Sequence, residues 1–211
     1  MRRLLKSTFY PLLVVFLAIN THSFYRSIAG VVTHYKVCLW FVLGVAIYYI
    51  ARRFVKTNLS FFEIFTHELI HSIVAIVFLR RIRKFVVGEN EGVVYHSGKN
   101  SNNVFIALAP YCFPLYSIVL LIIKIAIVGK FIWMFDILIG FTVGFHGSAF
   151  WKEISPHQSD ITRSGILFSY LFIWAFLLFF ASIILWSIQG SIGGALIQWW
   201  KNLVSLANYV S

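Results

Sequence analysis

Acidic side chains are nearly missing from this chain: its 211 residues hold only seven Asp and Glu, and charged residues of either sign make up 12%. A soluble domain of that length needs far more polar surface, which excludes a soluble globular protein. Cysteine is as scarce. Cys38 and Cys112 are the two present, both in apolar stretches. They supply neither a disulfide framework nor a CxxC motif, and are expected to be inert buried thiols. Internal repeats and low-complexity linkers are absent too, and the length suits one compact membrane-embedded domain, 1–211.

What the chain does have is apolar. Hydrophobic residues make up 60%, and the mean hydropathy is +0.83. Six apolar segments are expected, at about Tyr10–Ile19, Val37–Ala51, Phe61–Leu79, Val104–Val128, Phe131–Phe150 and Gly165–Ile188. The first two fall short of the ~20 residues a spanning helix needs. They must extend into their flanks, or the first only dips into the bilayer. The opening "MRRLLKSTFYPLLVVFLAIN" has the basic start and apolar run of a signal peptide but no small-x-small cleavage site. It reads as an uncleaved first span or signal anchor.

The formal charge is +11. The positives gather at the ends of apolar segments, in "MRRLLK", "ARRFVK" and "LRRIRK", which is how snorkelling and topology-setting charges are placed. No continuous basic face with interleaved aromatics exists. The lipid bilayer is therefore the expected partner, and nucleic acid is not.

The connections add shape. "RKFVVGENEGVVYHSGKN" (Arg83–Asn100) holds two β-prone runs, Lys84–Val87 and Val93–His96, around a turn from Gly88 to Gly92, which predicts a β-hairpin. "IALAPYCFPLY" carries Pro110 and Pro114, each expected to interrupt a helix and free backbone groups. "FWKEISPHQSDITRSG" (Phe150–Gly165) is a polar break before the last span. The tail, about 190–211, is amphipathic: Leu196, Trp200, Leu203, Ala207 and Val210 share one helical face, suited to the bilayer interface or to packing on the bundle. The fold class expected is an all-α polytopic membrane protein of about six transmembrane or re-entrant helices, with a short β-hairpin and an amphipathic C-terminal helix.

The chemistry lies in "HELIH". His67 and His71 are four residues apart, so a helix projects them from one face, where two imidazoles can reach one Zn²⁺. Glu68, rotated by about 100°, is placed to take a proton from water as it attacks a carbonyl. Three of the chain's few acidic and histidine residues form this motif inside an apolar segment. Burying them without a metal or partners is costly. The alternative is a pair of histidines satisfied by neighbouring backbone or side chains.

A catalytic zinc needs a third protein ligand and an open position. Asp136, His146, Glu153, His157 and Asp160 are the possibilities. Topology favours Asp160. With the cluster Arg80, Arg81, Arg83 and Lys84 on the cytoplasmic side, the Asp160 break returns to that side. His71 is then about 13 Å up its helix from Arg80, within reach of a segment dipping inward. Asp136 begins at the other end of its span and is expected to pair with an interfacial cation or a water. The same count puts Arg52, Arg53 and Lys56 on the outer side, against the usual bias.

"HELIHSIVAIVFLRRIRKFVVGENEG" resembles the active-site helix and following β-hairpin of site-2-protease-type intramembrane zinc peptidases, the M50 family. The order "HELIH", "LAPYCFPLY", "HGSAFWKEISPHQSDI" is similar to a compact M50B-like bacterial branch, and the likeness covers roughly Phe61 to Ser169. It implies a multi-pass peptidase of the bacterial inner membrane, with a catalytic core at about 57–188 and one Zn²⁺ per chain. In it His67, His71 and Asp160 are the ligands and Glu68 the base. The substrate implied is a membrane protein cut in or near a transmembrane segment. The chain departs from the family at Asp160, which is followed by Ile161 and preceded by "ISPHQS", where family members carry Asp-Gly after an Asn-Pro-containing stretch. Family hairpins engage substrate by strand addition, which marks Val86, Val87, Val93 and Val94 as substrate-binding candidates and Gly88 and Gly92 as turn residues. No PDZ-like domain is present, so substrate selection falls to the membrane part or to a partner. Two other functions fit the residues: a silent scaffold or assembly factor of the same fold, and a zinc hydrolase acting on a lipid amide.

Overall fold

The computed structural model describes residues 2–55, 59–88, 92–97, 103–126 and 129–210. Among them the chain is mostly helical with one small two-stranded sheet. Four helices are long and apolar enough to cross a membrane. They lie in α1 (Arg2–Thr33), α2 (Tyr35–Phe54), α6 (Ile132–Glu153) and α8 (Ile166–Gln189). At 1.5 Å per residue α8 is about 36 Å long, against a hydrocarbon core of about 30 Å. A fifth span arises if α4 (Val104–Cys112) and α5 (Leu115–Lys124), bent by 74°, count as one. The helix that carries the HELIH residues, α3 (Leu59–Val77), is not one of the four.

The first two segments are longer than their apolar runs. In α1 the run ends at a patch of polar residues, yet the helix continues, because those side chains bond to its own carbonyls. Asn20 Nδ2 donates to Phe16 O at 2.8 Å, Thr21 Oγ1 to Leu17 O at 2.8 Å and Ser27 Oγ to Phe24 O at 2.7 Å. Asn20, Ser23 and Ser27 are fully buried, and α9 (Ile192–Val210) covers two of them. Trp199 Nε1 donates to Asn20 Oδ1 at 2.8 Å and Asn202 Nδ2 to Ser23 Oγ at 3.4 Å. So α9 turns Ala195 and Asn202 inward and leaves Leu196 and Trp200 exposed. The side chains of Ala207 and Val210 lie outside the described residues.

Small residues let the spans approach closely. A Cβ on Gly44 of α2 would stand 2.0 Å from Ile137 O of α6, and one on Gly140 of α6 would stand 2.0 Å from Phe41 O of α2. This reciprocal contact is the close backbone packing that membrane helices use in place of a hydrophobic driving force. Elsewhere aromatic rings of α1 and α8 meet, Tyr10 edge-on to Phe168 and Phe16 tilted against Phe176.

Pro110 does not interrupt its helix. It sits inside α4, and Phe113 N still donates to Ala109 O at 2.8 Å. The break falls at Phe113 and Pro114, ahead of α5. The hairpin is present as β1 (Ile82–Val87) and β2 (Gly92–His96), antiparallel, with Val86 opposite Val93 and Val87 opposite Gly92. Gly92 is thus the first residue of a strand and not part of the turn. The turn residues Glu89, Asn90 and Glu91 lie outside the described residues. The turn into the hairpin uses Leu79 at φ 56°, with Arg80 N bonded to Ala75 O and Leu79 N to Ile76 O, the double bond of a Schellman cap.

Candidate metal centre

On α3, His67 and His71 stand with ring centroids 4.8 Å apart. One ring nitrogen of each is committed elsewhere. His67 Nδ1 lies 2.5 Å from Glu153 Oε2, at the end of α6. His71 Nδ1 lies 2.7 Å from the Ile106 carbonyl in α4. A carbonyl only accepts, so His71 Nδ1 carries a hydrogen, and in the neutral ring Nε2 is the nitrogen that keeps a lone pair. The carboxylate of Glu153 demands the same of His67. Partners of this kind fix tautomer and ring direction in metal-binding histidines.

Asp160 meets them from the other side. It stands in α7 (Ser159–Ser164), a short helix anchored by fully buried Ile161, whose carbonyl accepts from Ser169 Oγ at 3.1 Å. Gly165, at φ 92°, then turns the chain into α8 in a conformation that L side chains rarely adopt. Asp160 Oδ2 comes 3.4 Å from His71 Nε2. One donor atom from each of His67, His71 and Asp160 lies within 4.8 Å of the others. Burial works against ionisation of Asp160. When His71 is protonated its contact with Asp160, helped by the charges of a protonated His67 and of Arg163, outweighs burial and holds the carboxyl below its ordinary value.

This donor set fits zinc. Two imidazole nitrogens and a carboxylate are a catalytic zinc's usual ligands, and at bonds of about 2.0–2.1 Å two ligand atoms of a tetrahedral site stand about 3.4 Å apart. The 3.4 Å between His71 Nε2 and Asp160 Oδ2 matches that edge.

Glu68, 8% exposed, borders a cavity of about 480 Å³ together with His71, Asp160, Arg163 and the whole of β2. The hairpin presses close to it: a Cβ on Gly92 would stand 2.6 Å from Glu68 Cγ and 3.0 Å from its Oε1. Any larger residue there would make Glu68 or the neighbouring Ile64 side chain shift.

One turn before His67, Glu63 secures α3 to α6. Lys152 Nζ donates to Glu63 Oε2 at 2.5 Å, and Ser148 Oγ to Oε1 at 3.4 Å. Arg52 of α2 also reaches Glu63, at 3.8 Å. On α3, Glu63–Lys152 and His67–Glu153 therefore form two contacts one turn apart, which hold the His67 and His71 face in place.

The other proposed ligands lie elsewhere. Asp136 is 1% exposed and paired with Lys124 at 2.6 Å. His146 borders a separate apolar cavity between the long helices. His157 is exposed in the link from α6 to α7. Of the four valines marked for substrate, Val93 and Val94 line the cavity, whereas Val86 and Val87 sit on β1, away from its lining. Glu153 supports His67 rather than joining the three-donor cluster. Sequence reasoning missed Glu63, Gly92 and the Ile106 carbonyl. Glu63 had a signal, being a rare acid four residues before His67 on the same helical face.

No family model matches this chain, and no curated protein or solved structure matches it either.

Proposed function

We propose that this chain is a membrane-embedded zinc endopeptidase of the site-2-protease (M50) type. It hydrolyses a peptide bond in or near a transmembrane segment of a membrane-protein substrate. The observation that carries the reading is the convergence of His67, His71 and Asp160 beside Glu68, at a cavity whose wall is strand β2. His67, His71 and Asp160 hold one zinc per chain. Zinc, when bound, supplies the charge that acidifies water and polarises a carbonyl. Glu68 accepts the proton of the attacking water on its carboxylate and returns it to the leaving amine. Glu153 and the Ile106 carbonyl keep the two imidazoles turned the right way. Strand β2 pairs only with β1 among the described residues, and its cavity side takes the substrate as an added extended strand, with Val93 and Val94 beneath it. A transmembrane peptide must unwind to be cut, and strand pairing holds it unwound.

Counting α3 and the bent α4–α5 pair with the four long helices, six segments enter the bilayer of a bacterial inner membrane. The Arg80–Lys84 end of α3 is cytoplasmic; Arg52 and Arg53 then fall on the outer side, where Arg52 lies 3.8 Å from Glu63. The exposed Leu196 and Trp200 face of α9 contacts lipid.

The test is cleavage of labelled transmembrane peptides by the purified full-length protein, beside Glu68→Gln and beside lipid amides. Peptide cleavage by the wild type alone is the expected result. Cleavage of lipid amides only makes it a lipid hydrolase. No hydrolysis by a zinc-loaded wild type leaves a scaffold.

A further inference from the structure

We propose that Pro110 is a positioning residue for the metal centre, acting through the carbonyl of Ile106 on His71. The inference rests on the zinc reading above. In an α-helix the carbonyl of residue i accepts from the amide of residue i+4. For Ile106 that residue is Pro110, which has no amide hydrogen. The Ile106 carbonyl is left without its helical donor in a buried position, Ile106 being 4% exposed. A buried backbone oxygen needs a donor, and His71 Nδ1 supplies it at 2.7 Å. The same bond orients the ring: with Nδ1 donating to Ile106 O, Nε2 is the nitrogen turned toward Asp160, 3.4 Å away.

The proline is not there to bend the chain. The 74° turn lies between α4 and α5, after Pro110, and the helical bond from Phe113 N to Ala109 O is kept beyond it. A proline inside a helix is otherwise a liability. Here its effect is to release one oxygen opposite a metal ligand. The two histidines are thus oriented by different means. His67 is held by a carboxylate, Glu153, and His71 by a neutral backbone oxygen that a proline four residues on leaves without its helical donor.

The test uses the full-length protein in detergent, wild type and Pro110→Ala. The alanine restores an amide that competes for Ile106 O. Zinc affinity, measured by chelator competition, should fall about tenfold, the lower range for loss of a supporting partner of a ligand. Thermal stability should hold or rise, since alanine suits a helix better, and a folding defect would lower it. The decisive readout is ¹⁵N NMR of histidine-labelled, metal-free protein, with the His71 signals identified by His71→Ala. At alkaline pH, where the ring is neutral, wild-type His71 should carry its hydrogen on Nδ1, and Pro110→Ala should show a mixture of tautomers. A His71 pattern unchanged in Pro110→Ala overturns the proposal whatever the affinity. So does a neutral wild-type His71 carrying its hydrogen on Nε2, which decides the matter even where the variant fails to fold. A wild type that binds no zinc overturns the metal reading instead, and the tautomer result still stands on its own.

Discussion

Lys124 and Asp136 meet at 2.6 Å between α5 and α6, and the remaining reach of the ammonium is toward the Ser187 carbonyl at 3.4 Å. His67, His71 and Asp160 meet between α3 and α7 in the same bundle. Both clusters bear the cost of removing charge or polarity from water. The first is closed, donor to acceptor, with Asp136 at 1% exposure. The second is open. Each histidine spends one nitrogen on a supporting partner and turns the other toward a shared point, beside a cavity that also takes in Glu68. A pair that satisfies itself is a structural fastening, whereas donors that converge on a common point are arranged for something that arrives.

The largest expected effect falls on the open cluster. Glu68→Gln cannot accept a proton, so turnover should drop by about 10²–10⁴-fold with zinc retained; steady-state cleavage and metal analysis on one preparation check both. The closed pair should respond in stability instead. Asp136→Asn leaves the Lys124 charge buried and uncompensated, a loss of about 3–5 kcal/mol in denaturant unfolding, while zinc stays bound. An Asp136→Asn protein as stable as the wild type would erase the contrast between the two clusters.

A smaller effect sharpens the open side. Gly92→Ala forces β2 away from Glu68, and a displaced base should cost about ten- to a hundredfold in kcat without loss of zinc, measured on the same substrate. The smallest is remote from both clusters. Leu79→Gly removes the side chain held at φ 56° and should raise stability by about 0.5–1 kcal/mol, leaving activity unchanged.

Much of the open site was legible. Spacing put His67 and His71 on one face, the polar break before the last span marked Asp160, and two β-prone runs marked the hairpin. The supporting atoms were not legible for physical reasons. A backbone carbonyl has no residue signature, so Ile106 was hidden except through Pro110. Glu153 looked like one more possible ligand, because its distance from His67 is set by how α6 packs on α3, which Glu63 and Lys152 govern. Gly92 read as a turn residue because close approach to Glu68 and a tight turn select the same amino acid. In α1 the apolar run ends at Ile19, and the polar Asn20 and Ser23 beyond it form the buried seam that docks α9.

Metal content of the purified full-length chain tests the central claim most directly, compared across wild type, Asp160→Asn and Asp136→Asn after zinc is supplied and excess removed. The account predicts about one zinc per chain in the wild type and in Asp136→Asn, and little in Asp160→Asn. A folded wild type that never retains zinc would contradict it, as would an Asp160→Asn protein that keeps full zinc while Asp136→Asn loses it.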